Sequence, residues 1–276
     1  MALHLPSSLK VAAGGDSQYR RSPDFLWRFA RGIYLVCAES QSEENTFVTV
    51  NDLDIQNSST SVSSRTFIPN DLNDLAYDRT NRRQFIETGL ALARKCLVLA
   101  KMCHEQPDYS FETRSMAEVY KWLAVMVGLA SEFVGMQQRI SYGYEFKELV
   151  DKALEHNPED EHCRYLKGRW CYQVYNLTWV ERQFASRLFA TLPTATLEEA
   201  MEDFNEVERL RPDFYAANHL YLAKCHISAG NYKEAASWLS RAKQLVEQHR
   251  VPPPHLDNLE VCTEIIKLAD QYSTYC

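Results

Sequence analysis

Glycine is scarce in this chain, 9 of 276 residues, and no two of its 8 cysteines form a C-x-x-C pair. Few glycines among plentiful helix formers argue for helices over sheet. No apolar run approaches the roughly 20 residues that cross a bilayer. Residues 1–13 carry one early lysine, the interrupting Pro6-Ser7-Ser8 and no apolar core, so no signal peptide is expected and the predicted setting is cytoplasmic, without a transmembrane segment. Positive charge is also in deficit: the net charge is −7, a poor basis for nucleic-acid binding. There is no G-x-S-x-G, no phosphate-binding glycine loop and no H-E-x-x-H. Acidic neighbours such as Glu198-Glu199 and Glu206 with Glu208 read as a solvated helix face. No catalytic residue, cofactor site or metal site is expected.

The cysteines sit mostly in apolar helical patterns, where a reduced thiol acts as a small hydrophobe. Three His–Cys neighbours, Cys103–His104, His162–Cys163 and Cys225–His226, suggest zinc. Adjacent residues on a helix point about 100° apart, however, so none of these pairs makes a chelate alone. The sequons at Asn57 and Asn176 have no meaning without secretion.

The composition that is present, 45% hydrophobic and 24% charged, is that of an ordinary globular chain. Residues 1–21 read as a disordered polar lead. Ser22-Pro23-Asp24 signals a helix start, and Phe25, Phe29, Ile33 and Val36 make one apolar stripe. The segment 22–39 is therefore expected to be a docking helix. Residues 40–72 are rich in Ser, Thr and Asn and read as a flexible insertion, with Ser58–Ser64 a possible phosphorylation segment. From 73 to 276 the pattern is helical. Phe85, Leu92, Cys96 and Leu99 share helical spacing, while Arg79, Arg82, Arg83, Arg94, Lys95 and Lys101 read as a solvated face. Met126, Phe133, Met136, Tyr142 and Tyr144 are candidates for a groove or for packing between helices.

The stretch Gly168–Pro212 organises the rest. Gly168 fits the small position where the first helix of a tetratricopeptide-type repeat packs on the second. Ala200, Phe204 and Pro212 fit the small, aromatic and terminating positions of that second helix. In a repeat of about 34 residues the two small positions lie about 12 apart, whereas here they are 32 apart. The excess predicts one inserted helix, Trp179–Phe189, ended before Pro193. Val180, Phe184 and Leu188 form its apolar stripe. Leu166, Trp170, Val174 and Leu177 form that of the first helix. Thr196-x-x-Glu199 is a capping box that restarts the chain as a helix. An earlier repeat runs from Tyr120 and Trp122 to Phe146, Val150, Ala153 and Pro158. A later one spans Asp213 to Leu245, with His219 and His226 as packing histidines. After Pro252-Pro253-Pro254, the segment 256–272 reads as a capping helix with Leu259, Ile266 and Leu268 as apolar candidates. The fold class is all-α: a tetratricopeptide-like α-solenoid of antiparallel helix pairs with an extra helix in the central repeat.

The run GRWCYQVYNLTWVERQFASRLFATLPTATLEEAMEDF, followed by RPDFYAANHLYLAKCHISAGNYKEAASWLSRA, resembles the regulator of microtubule dynamics family over residues 83–248, and more loosely over the helix at 24–39. The resemblance implies a non-enzymatic protein acting on microtubules and the spindle, including the spindle pole. It also implies a link to lipid handling at organelle contacts through a membrane-anchored branch. Tubulin is the implied partner.

A concave repeat surface binds peptides or helices. The candidate cluster is Arg164, Lys167, Arg169, Arg182 and Arg187, interleaved with Tyr165, Trp170, Tyr172 and Tyr175; Glu181 is the only acid between positions 164 and 187. The alternative is that these charges pair with the acidic helix at 198–208. Three readings stay open: a microtubule-associated regulator, a lipid-binding helical domain, and a scaffold that recruits a peptide. An acidic chain meeting an acidic filament needs a local basic patch or a hydrophobic contact.

Overall fold

The computed structural model describes residues 79–104, 113–188, 194–248 and 259–275, together with Trp27, Arg28, Arg31, Gly32 and Tyr34. The lead at 1–21, the stripe Phe25, Phe29, Ile33 and Val36, the insertion at 40–72 with Ser58–Ser64, and the Pro252–Pro254 break lie outside these residues.

Among the described residues all regular elements are helical. They are α1 (Arg79–His104), α2 (Thr113–Ala130), α3 (Met136–His156), α4 (Glu161–Tyr175), α5 (Trp179–Leu188), α6 (Leu197–Leu210), α7 (Ala216–Ser228), α8 (Tyr232–Glu247) and α9 (Leu259–Gln271), with short 3₁₀ turns at Ser131–Phe133 and Ser273–Tyr275. The succession of contacts makes the solenoid: α1 packs on α2, α2 on α3, α3 on α4, α4 on α6, α6 on α7, α7 on α8 and α8 on α9. The inserted helix α5 is skipped in that succession and leans on α3 instead.

Local chemistry explains the starts of the helices. Thr196 and Glu199 exchange hydrogen bonds at the start of α6, Thr196 N–H donating to Glu199 Oε2 at 2.8 Å and Glu199 N–H to Thr196 Oγ1 at 3.1 Å. Thr178 and Glu181 repeat the device at α5: Thr178 N–H donates to Glu181 Oε2 at 2.8 Å, and Glu181 N–H to Thr178 Oγ1 at 3.3 Å. Asp160 caps α4 by accepting the Cys163 N–H at 2.9 Å.

Packing then selects the pairs. A Cβ built on Gly168 would lie 2.8 Å from Phe204 Cε1, and Phe204 is fully buried. That ring has nowhere to go, so only glycine lets α4 close on α6. In the earlier repeat Gly128 faces Phe146 at 3.5 Å, an ordinary contact distance. One continuous core runs from Ile86 on α1 to Cys225 on α7, and a smaller cluster joins α7, α8 and α9 through Ala216, Leu220, Leu239 and Ile265. Trp27 and Tyr34 pack against the larger core, with the Tyr34 ring 5.6 Å from that of Trp122. Burial pushes the Tyr34 hydroxyl up to about 12 against the opposing pull of Arg169.

Buried polar groups are tied across helices. Lys121 on α2 donates to Asp160 at 2.8 Å and to Glu118 at 2.6 Å. Burial pushes the Asp160 carboxyl up, but Lys121 and the Cys163 N–H more than offset it, so its pKa lies below the usual value. The Trp170 indole on α4 donates to the Gly143 carbonyl on α3 at 2.9 Å. The basic face of α1 is not simply solvated: Arg82 pairs with Glu132 at 3.1 Å, and Arg94 binds both Glu145 oxygens at 3.0 and 2.9 Å.

The structure changes two apolar assignments and divides a third group. Val180 and Phe184 on α5 face solvent rather than the core, where Ala185 is buried instead. On α9 Ile265 is buried and Ile266 is exposed. Of the two candidate methionines, Met126 is fully buried and Met136 is exposed.

Candidate functional site

The basic cluster anticipated on α4 and α5 is dispersed into separate roles. Arg164 and Lys167, one turn apart on α4, both face Asp203 of α6, at 3.2 and 3.6 Å. Burial outweighs these two cations and raises the Asp203 carboxyl. Arg169 is half-buried, its guanidinium 5.7 Å from the Tyr165 ring centre and 5.1 Å from that of Tyr221. Tyr172 is half-buried and meets Tyr221 edge-on at 5.7 Å. Arg182 reaches back from α5 to the open end of α4. It donates to the carbonyls of Val174 at 3.2 Å, Tyr175 at 3.1 Å and Leu177 at 3.2 Å. Val174 and Tyr175 lie in the last turn of α4 and Leu177 just beyond it, so Arg182 ties the end of α4 to the start of α5 as a structural pin. Tyr175 is exposed, and so is Arg187. No hydrogen bond, ion pair or ring contact engages Arg187 among the described residues.

Arg187 lies on an unusual surface. At 100° per residue, Trp179, Gln183, Arg187, Val180 and Phe184 fall within an arc of about 140° on α5. All five are exposed: Trp179 at 73%, Val180 at 48% and Phe184 at 42%, with Gln183 and Arg187 beside them. Ala185, nearly opposite, is 1% exposed. The flanking Glu181 and Arg182 are half-buried. Burying only the small side of the helix lets its backbone approach the body closely, and the bulky side is left outward. The spacing of Val180 and Phe184 by itself reads as a buried stripe and gives Trp179 no functional role. The signal within reach was Thr178-x-x-Glu181, a capping box that starts α5 at Trp179.

A second polar cluster joins α6, α7 and α8. His219 Nε2 is 3.0 Å from Glu208 Oε1 and 3.6 Å from Asp213 Oδ1, and these ligand-type atoms lie within 4.8 Å of one another. None of the three His–Cys neighbours contributes to it. The oxygens are already engaged: Asn218 Nδ2 donates to Glu208 Oε1 at 2.9 Å, and Arg241 Nη2 to Asp213 Oδ1 at 2.7 Å. The Arg241 guanidinium supplies the positive charge that a metal would bring. Burial pushes the Glu208 carboxyl up, while the adjacent His219 and hydrogen bonds from Asn218 and the Asp213 N–H pull it further down. The cluster is a clamp between repeats. His219 is fully buried with its ring 5.2 Å from Trp238, the packing role expected from sequence.

A cleft of about 600 Å³ opens at the α3–α4 turn, lined by Glu118, Lys121, His156, Asn157, Glu159, Asp160 and Glu161. Its walls are polar and mostly acidic, unsuited to an acyl chain. No described helix is long and apolar enough to cross a membrane.

Comparison with known proteins gives a consistent result. The family model described as Regulator of microtubule dynamics protein 1-3 matches residues 68–272. Regulator of microtubule dynamics protein 3 of Xenopus laevis is 47% identical over 129 residues, 47% of this chain and 28% of that protein. Regulator of microtubule dynamics protein 2 of Bos taurus is 35% identical over 238 residues, 85% of this chain and 45% of that protein. This chain therefore spans under half the length of the curated relatives it matches. Among solved structures, MamA MSR-1 C2 covers 61% of this chain and 98% of its own at 14% identity. Its TM-score of 0.30 is too low to argue from.

Proposed function

This chain belongs to the regulator of microtubule dynamics family, and from that premise we propose that it is a non-enzymatic, microtubule-associated regulator that binds tubulin through its helical-repeat surface. The observation that carries this reading is the family match across all nine described helices. The architecture supports it, since a stack of helix pairs presents a long, firm surface suited to a protein partner. Action in the cytoplasm, on the spindle and at its poles in chromosome segregation, belongs to the same proposal. The lipid-handling alternative finds no support in the cleft at the α3–α4 turn, whose walls are polar.

The test is co-sedimentation of the purified chain with assembled microtubules across a salt series. Saturable binding that weakens with salt is expected, because any charged contact to an acidic filament is screened. Absence of binding at low salt would overturn direct microtubule association.

A further inference from the structure

We infer that the outward face of α5, Trp179, Val180 and Phe184 around Arg187, is the surface that docks on tubulin. The partner is a tubulin segment that presents an acidic side chain among apolar ones. This inference rests on the microtubule reading and gives it an address.

Three observations converge. First, α5 contributes little to the fold: α4 and α6 pack directly on each other, and α5 buries Ala185 while its aromatic side chains point outward. A helix retained in the chain but not used in the core is available for contact. Second, the composition of the face is that of an interface centre. Trp and Arg dominate binding energy where proteins meet, and Trp179 is the most exposed of the large apolar residues described. Third, charge decides the position. The chain carries −7 overall and must approach an acidic filament. Of the five cations in the candidate cluster, two face Asp203, one lies against tyrosine rings and one pins a helix end. Arg187 is left, and it lies in the middle of the apolar arc. An apolar surface with one central cation fits an apolar surface with one acid.

The same geometry weighs against another occupant. A second copy meeting this face about a two-fold axis would set Arg187 against Arg187.

The experiment uses the full chain and assembled microtubules, comparing wild type with Trp179→Ala/Phe184→Ala and with Arg187→Glu. Thermal melting checks that each variant is folded. The expected result is a loss of affinity of about tenfold or more for the double variant, in the range of interface hot spots. A smaller loss, confined to low salt, is expected for Arg187→Glu, and Arg187→Lys should restore most of it. Wild-type binding should keep a residue at high salt that the double variant lacks, since an apolar contact is not screened. Equal binding by wild type and the double variant would overturn this inference and leave the microtubule reading standing. No wild-type binding would overturn both. Binding to phosphatidylserine vesicles that the double variant loses, with microtubule binding intact, would reassign the face to membranes and overturn the inference.

Discussion

Two neighbouring parts of the central repeat treat aromatic side chains in opposite ways. Between α4 and α6, Phe204 is sealed against Gly168 with no room for one added methyl group. On α5, inserted between those two helices in the chain, Trp179 and Phe184 stand in solvent. The repeat closes without the insertion, so the bulky face of α5 carries no obligation to the core and is free to serve a partner. The contrast teaches that apolar composition alone does not mark a core. Burial follows from which helices are brought together, and here the partner of α4 lies beyond the insertion.

The sharpest way to break the contrast is to empty its buried side. Phe204→Ala should cost about 3–5 kcal/mol, the usual range for removing an enclosed aromatic ring, read as a lower urea midpoint. A cost near zero would mean that α4 and α6 do not depend on this contact. Gly168→Ala should cost about 1–3 kcal/mol through overpacking. Its counterpart Gly128→Ala, with 3.5 Å of clearance to Phe146, should be neutral or gain up to about 1 kcal/mol from helix propensity. If both alanine variants behaved alike in the same melts, the close contact at Gly168 would not be the discriminating feature.

Carboxylates that are wholly or partly buried divide similarly and sharpen the comparison through pH. Asp160 has a lowered pKa because Lys121 and the Cys163 N–H more than offset its burial, and Glu208 is lowered by its clamp partners against burial. Their stabilisation is present above the ordinary carboxylate value of about 4. It is lost as pH falls through the lower folded values, because there the unfolded chain binds more protons. Asp203 is raised by burial, which outweighs Lys167 and Arg164, so its term has the opposite sign: it is present below the ordinary value and fades as pH rises through the folded one. Urea midpoints from pH 3 to 7 should therefore show a shallower acid loss in Asp160→Asn than in wild type, whereas Asp203→Asn should not relieve it. Parallel curves for wild type and Asp160→Asn would contradict the assignment.

Smaller still is the capping box of α6. Thr196→Ala should cost about 1 kcal/mol by releasing the Glu199 N–H. The smallest stability effect is expected on α5, where Trp179→Ala and Phe184→Ala together should stay within roughly 0.5 kcal/mol, as for surface sites generally.

Much of the fold was legible because it rests on local chemistry. Gly168, Ala200 and Phe204 occupy fixed repeat positions, Thr196-x-x-Glu199 states its cap outright, and the spacing between the small residues announced α5 as Trp179–Phe189 against the observed Trp179–Leu188. What was not legible depends on tertiary choice. The pattern offers α5 two faces, and the body takes the one with small Ala185 because it permits close approach. On α9 the adjacent Ile265 and Ile266 compete for one core position, which the placement of α8 decides. The dispersal of the basic cluster was legible only as an alternative. Asp203 does lie in the acidic run at 198–208, but nothing local says that it takes both Arg164 and Lys167. The clamp of Glu208, Asp213, His219 and Arg241 spans three helices and has no compact sequence signature.

The division of labour between a closed core and a displayed helix is tested most directly by thermal unfolding of Gly168→Ala beside Trp179→Ala/Phe184→Ala. The glycine variant should melt several degrees lower, at roughly 2–4 °C per kcal/mol for a chain of this size, while the aromatic double variant should melt with the wild type. A double variant that loses as much as Gly168→Ala would place α5 in the core and contradict the account.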